Sequence, residues 1–218
     1  MSNAVLLALV AIVPLVLLTL TSFVKISVVL SLLRNALGAP DAPSGLVVTG
    51  LALVLTFFVM SPVALDMARA ATTAPTTPAP AQPEAWRALV PAEYQAPLDQ
   101  VERGLGPLRT FLGKHAAAKD KATFVELAGK LGHTDVHGDE LWVLAPAFVT
   151  TELRAAFTMA ILIFIPFLVI DLVIALGLAS LGLASTPPQA IALPMKLLLF
   201  VAVDGWRLLI DSLLRGYA

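Results

Sequence analysis

The chain has 218 residues, 58% of them hydrophobic and only 13% charged, against about 25% charged in an ordinary soluble domain. That balance points to a membrane protein. A formal net charge of −1, with no Lys/Arg-rich run, argues against a nucleic-acid binder, and the absence of cysteine excludes disulfides, thiolate metal sites and cysteine nucleophiles.

Four apolar blocks follow one another along the chain, at residues 4–37, 46–65, 141–181 and 190–214. The first opens without a positive n-region, and no small-x-small pattern follows residues 15–20, so this segment is expected to be retained. One straight helix over residues 4–33 would run about 45 Å, well past a hydrocarbon core of about 30 Å. Leu, Val and Ile of residues 4–20 each favour insertion by roughly 0.3 to 0.6 kcal/mol, whereas Lys25 alone costs roughly 2.5 to 3.5 kcal/mol at membrane depth. Residues 21–40 therefore make a poor lipid-facing span, and Lys25 and Arg34 are expected to face protein or a hydrated cavity.

The second block fits a single span. Residues 71–83 (ATTAPTTPAPAQP) then read as an extended Pro/Ala/Thr linker. Residues 84–140 hold 16 of the chain's 29 Lys, Arg, Asp and Glu residues and all three histidines, which marks a soluble insertion. Leu98, Val101, Leu105, Leu108 and Leu112 recur at helical spacing, as do Phe124, Leu127 and Leu131, predicting an αα-hairpin. A hairpin of this size buries little core alone, so it is expected to pack on other subunits. His133 and His137 are spaced i, i+4 with Asp135 between them, but glycines flank the pair and the HExxH glutamate is missing. They are read as exposed loop residues, and no metal or cofactor is expected.

The third block is about twice a span and contains Pro146 and Pro166. It predicts a helix starting near Pro146, kinked at Pro166 and ending near Gly182, with STPP (residues 185–188) as a tight connector and Pro194 in the first turn of the last helix. Gly177, Ser180 and Gly182 leave room for close helix approach. Asp171 is an isolated acid in an apolar run. It is read either as a proton-relay group or, preferentially, as the partner of Lys25, Arg34 or Lys196.

In the fourth block Asp204, Arg207, Asp211 and Arg215 are spaced 3, 4 and 4, placing alternating charges on one helical face. That face is a solvated surface or a polar seam between subunits, which Lys196, about two turns earlier, would extend. No GxSxG, Walker A, GxGxxG or paired-carboxylate pattern occurs, so no enzyme is expected. The blocks imply an all-α membrane protein of three parts: an N-terminal apolar hairpin (1–70), the linker and hydrophilic insertion (71–140), and a C-terminal apolar hairpin (141–218).

TSFVKISVVLSLLRNALG (residues 21–38), LALVLTFFVMSPV (51–63), PLRTFLGKH (107–115), LAPAFVTTELRAAF (144–157), LIFIPFLVIDLVIA (162–175) and ALPMKLLLFVAVDGW (192–206) resemble, in order and spacing, the type III secretion export-gate family of the flagellar P and injectisome R class. The resemblance implies a non-enzymatic pore-forming subunit that conducts unfolded proteins across the bacterial inner membrane. It implies a pentameric homo-oligomer of kinked helical hairpins, joined by two smaller hydrophobic export-gate subunits and a larger export-gate protein, with the hydrophilic loop in the periplasm. Lys25, Arg34, Asp171, Lys196, Asp204, Arg207 and Asp211 would then be buried or intersubunit charges, with counter-ions partly on neighbouring subunits.

The start of the chain and its length are similar to the injectisome branch. Members typically carry a methionine cluster just before the connector prolines, where thioethers seal the closed pore; this chain has Leu183, Ala184 and Ser185 there. A narrower apolar seal is the expectation that follows. The rival reading from another class is a proton-coupled transporter with Asp171 and Lys196 as relay groups.

Overall fold

The computed structural model describes residues 18–38, 44–72, 92–133, 136–183 and 185–217. Residues 4–17 of the leading block, residues 73–83 of the linker, Asp135, Ala184 and the side chain of Leu98 lie outside that description. The described residues form helices and no strand: α1 Phe23–Leu37, α2 Gly45–Thr72, α3 Ala92–His115, α4 Ala118–Lys130, α5 Leu141–Ser180, α6 Gln189–Ala202 and α7 Gly205–Arg215. The chain divides into two compact units, Met1–Val59 with Glu152–Ala218, and Met60–Thr151.

In the first unit α1 turns Ile26, Val29, Leu30, Leu33, Ala36 and Leu37 inward, a stripe at i, i+3, i+4 spacing. It stops at Gly38, whose φ of 76° is the left-handed conformation that glycine adopts without strain; the Gly38 N–H donates to the Asn35 carbonyl at 3.1 Å. α2 buries Val48, Ala52, Leu55 and Thr56, all in its first half, and Phe57 and Phe58 face outward.

α5 runs without interruption through Pro146 and Pro166 for 40 residues, about 60 Å. It begins five residues before Pro146, which corrects the expected start, and Pro166, where a kink is expected, lies inside the continuous helix. Each proline removes only one ladder hydrogen bond, and the surrounding turns keep theirs. Gly182 (φ 75°) closes the end of α5 with two bonds, Leu183 N–H to the Leu178 carbonyl at 3.0 Å and Gly182 N–H to the Ala179 carbonyl at 3.2 Å.

After this turn α6 and α7 return antiparallel alongside α5. Lys196 meets Asp171, Phe200 meets Phe167 with ring centroids 6.5 Å apart, and Tyr217 meets Glu152. The fourth block is two helices and not one, because Asp204 takes a left-handed conformation (φ 52°) between them. Gly205 follows, buried, with the Phe200 ring lying where a Cβ would stand. Phe200 packs edge-on against Trp206 at 5.4 Å.

The second unit has a small core of its own: Leu108, Phe111 and Leu112 of α3 and Ala128 of α4 with Val143, Leu144, Ala147 and Phe148 of α5. Phe111 lies between His115 at 4.6 Å and Phe148 at 5.7 Å. The expected hairpin is thus joined by the first turns of α5, while Val101, Leu127 and Leu131 of the helical pattern remain exposed. The Thr151 hydroxyl accepts the Ala117 N–H at 3.0 Å and donates to the buried Asp120 carboxylate at 2.6 Å, tying the α3–α4 connection to α5.

Candidate functional site

The first unit contains two charge centres set among apolar side chains. In the first, Lys25 Nζ lies 3.2 Å from Glu152 Oε2 and 3.5 Å from Oε1, and both side chains are only 4% exposed. The Tyr217 hydroxyl donates to Oε2, and the same Tyr217 ring lies beneath the ammonium, 3.7 Å from Nζ to the centroid. Burial, then the neighbouring Glu152 charge, holds the Tyr217 phenol well above its ordinary value, so it stays protonated and donates. The lysine is placed here by its register: Lys25, Val29 and Leu33 share one face of α1, and that face is the core. Lys25 therefore faces protein within its own chain.

In the second centre Lys196 Nζ donates to Asp171 Oδ2 at 2.7 Å and to the Ala36 carbonyl at 3.2 Å. It joins the last turn of α1, where carbonyls lack helical partners, to α5 and α6. The Lys196 side chain is 7% exposed and Asp171 42%, so the acid is open on one side. Of the three bases weighed for Asp171, Lys196 is the one brought to it. Lys196 does not extend the charged face of the last helix, because the turn at Asp204 separates them and Lys196 is buried.

Asp204, Arg207 and Asp211 are exposed in the single chain. Arg207 Nη1 stands 4.0 Å from Asp204 Oδ2, and Arg215 Nε 2.6 Å from Asp211 Oδ2. Pairs this exposed are screened by solvent and add little to stability.

Arg34 lines a cleft of ≈ 330 Å³ between α1, α2 and α7, with apolar walls that include Leu37, Val48, Leu51 and Trp206. Its Nε is buried with no hydrogen-bond partner among the described residues. Leu183 and Ser185 are exposed in the turn between α5 and α6. Among the described residues no group of three or more His, Asp or Glu side chains gathers at metal-binding distance, and the His133 ring packs on Trp142 at 5.2 Å.

Glu152, Tyr217, Thr151 and Asp120 were not legible as site residues from composition. The signal for Glu152 was present in its register, four and eight residues before the buried Ala156 and Ala160 on the inner stripe of α5.

α2 and α5 are long and apolar enough to cross a membrane, and most of their apolar surface lies open. A helical unit with such faces, holding one enclosed and one half-open ion pair, is of the helical membrane-protein class. The profile of the FliP family matches residues 6–213, and the chain belongs to that family. It is 44% identical over 213 residues to the flagellar biosynthetic protein FliP of Pectobacterium carotovorum subsp. carotovorum, covering 94% of this chain and 73% of that protein. It is 39% identical over 219 residues to the hypersensitivity response secretion protein HrcR of Ralstonia nicotianae, covering 95% and 93%. The Yop proteins translocation protein R of Yersinia pestis is 37% identical over 222 residues, covering 98% and 94%. The family supplies membrane components of flagellar and type III secretion export apparatus, and its members are not enzymes.

Proposed function

We propose that this chain is a pore-forming subunit of a type III secretion export gate in the bacterial inner membrane. Several copies form a ring, pentameric by the family resemblance, that takes up two smaller hydrophobic subunits and a larger export-gate protein. Unfolded proteins pass through it, and the hydrophilic segment between α2 and α5 faces the periplasm. The observation that carries the reading is the uncovered apolar surface of α2 and α5 in a chain of the FliP family. Arg34 in its apolar cleft and the charged outer face of α7 are surfaces for neighbouring subunits, and Leu183, Ala184 and Ser185 contribute to the seal of the closed pore.

Native mass spectrometry in mild detergent, on the protein expressed alone and then with its operon neighbours, tests this. A discrete ring that gains smaller hydrophobic subunits supports the gate; a monomer or dimer that recruits nothing overturns it. The transporter alternative rests on the half-open Asp171 carboxylate beside Lys196. It requires Asp171→Asn to abolish transport with assembly intact, whereas loss of the ring assigns the pair a structural role.

A further inference from the structure

α7 is a separable element. It has 11 residues, fewer than the roughly 12 to 15 an isolated helix needs, and it follows a left-handed break. Its buried residues are evenly spaced: Gly205, Leu209 and Leu213 face inward, and Tyr217 extends the same four-residue stripe beyond the end of the helix. The outer face carries Arg207, Asp211 and Arg215 together with the exposed Trp206 and Leu208. Leu209 and Leu213 seat this face in the apolar core with Ile210 packed beside them, and the stripe's last member, Tyr217, adds its polar contacts.

Tyr217 makes two contacts of different chemistry with one ion pair. Its hydroxyl donates to Glu152 and its ring covers the Lys25 ammonium, so one side chain touches α1 and α5 together. Lys25 and Tyr217 are the donors to Glu152 among the described residues. A carboxylate buried this deeply needs its lone pairs filled, and when the phenol leaves, Oε2 loses a donor while the lysine loses its cover. The approach is close: a Cβ on Gly216 would stand 3.0 Å from Lys25 Nζ, so the backbone before Tyr217 lies directly over the ammonium.

We propose that the Gly216–Tyr217 turn is a latch, in which the Tyr217 phenol closes over the Lys25–Glu152 pair, holds α7 on α1 and α5, and so makes the chain competent to assemble. The assembly part rests on the export-gate reading; the latch itself does not. Opening it leaves α1, α2 and α5 packed through their own apolar stripe and frees α7 as a unit. Tyr217 is in this sense a positioning residue, acting on α7 through Glu152 and Lys25.

Hydrogen–deuterium exchange of the full chain in mild detergent tests the latch, with native mass spectrometry of the co-expressed complex as the second readout. Tyr217→Phe keeps the ring and removes the donor, and α7 amides are expected to exchange about tenfold faster with α1 and the middle of α5 unchanged. Tyr217→Leu, which removes both contacts, is expected to exceed it. In a Glu152→Gln background Tyr217→Phe should add little, because the charge it serves is gone. Unchanged α7 protection in Tyr217→Leu overturns the latch, as does an undiminished Tyr217→Phe effect in the Glu152→Gln background. Full assembly with an unprotected α7 overturns the link between closure and assembly. A wild-type chain that forms no ring defeats the export-gate reading, while exchange still decides the latch.

Discussion

Lys25 illustrates how far a single residue is readable. Its cost in lipid and its register on α1 require a protein environment, and both follow from the local sequence. Its partner does not: Glu152 is 127 residues away, and only the packing of α5 on α1 joins them. Glu152→Gln leaves the ammonium buried without its counter-charge, which is expected to cost about 3 to 5 kcal/mol. The triple replacement Lys25→Met, Glu152→Leu and Tyr217→Phe should recover most of that loss, since a fully satisfied buried ion pair and apolar side chains of similar volume are nearly equivalent. Urea titration in detergent, following tryptophan fluorescence, distinguishes the two. Gly205 supplies a second residue-level prediction. With the Phe200 ring where its Cβ would stand, Gly205→Ala is expected to destabilise by about 1 to 3 kcal/mol, and Phe200→Leu in the same chain should relieve part of it, read as partial recovery of the unfolding midpoint.

At the scale of elements, α2 as an apolar span, the helical pattern of the insertion and the connector between α5 and α6 were legible, because apolar length, apolar spacing and Gly/Pro punctuation are local properties. The fate of the prolines in α5 was not. A proline removes one bond wherever it occurs, and whether a helix survives that loss depends on the turns on either side. The division of the last block also escaped, because it lies at Asp204, a residue that tolerates the left-handed region without advertising it as glycine does. In the second unit Thr151 is the tie that local patterns could not reveal. Thr151→Val removes the acceptor for Ala117 N–H and the donor to Asp120, for an expected loss of about 1 to 3 kcal/mol. Hydrogen exchange should quicken in the first turn of α4, with α1 and α7 unaffected.

For the whole molecule, composition alone placed the chain in the membrane, and the family motifs identified its relatives; the open faces of α2 and α5 are the physical expression of both. A charge on such a face costs the isolated chain little and the assembled one much. Leu172→Asp, on an exposed part of α5, is therefore expected to leave the exchange pattern of the first unit intact while abolishing the ring in native mass spectrometry. Unaltered assembly would show that this part of α5 meets neither lipid nor a partner.

The three meetings of α5 with the returning helices, Asp171 with Lys196, Phe167 with Phe200 and Glu152 with Tyr217, also act as a register code. Sliding one strand of this hairpin by a helical turn, about 5.4 Å, would strand Lys196 and Glu152 opposite apolar neighbours and misalign the ring pair between them. Such a hairpin resists shear along its length. Under the export-gate reading proposed above, and with the Tyr217 contact closed, a rearrangement that widens the passage would tilt this hairpin instead of sliding its two arms past each other.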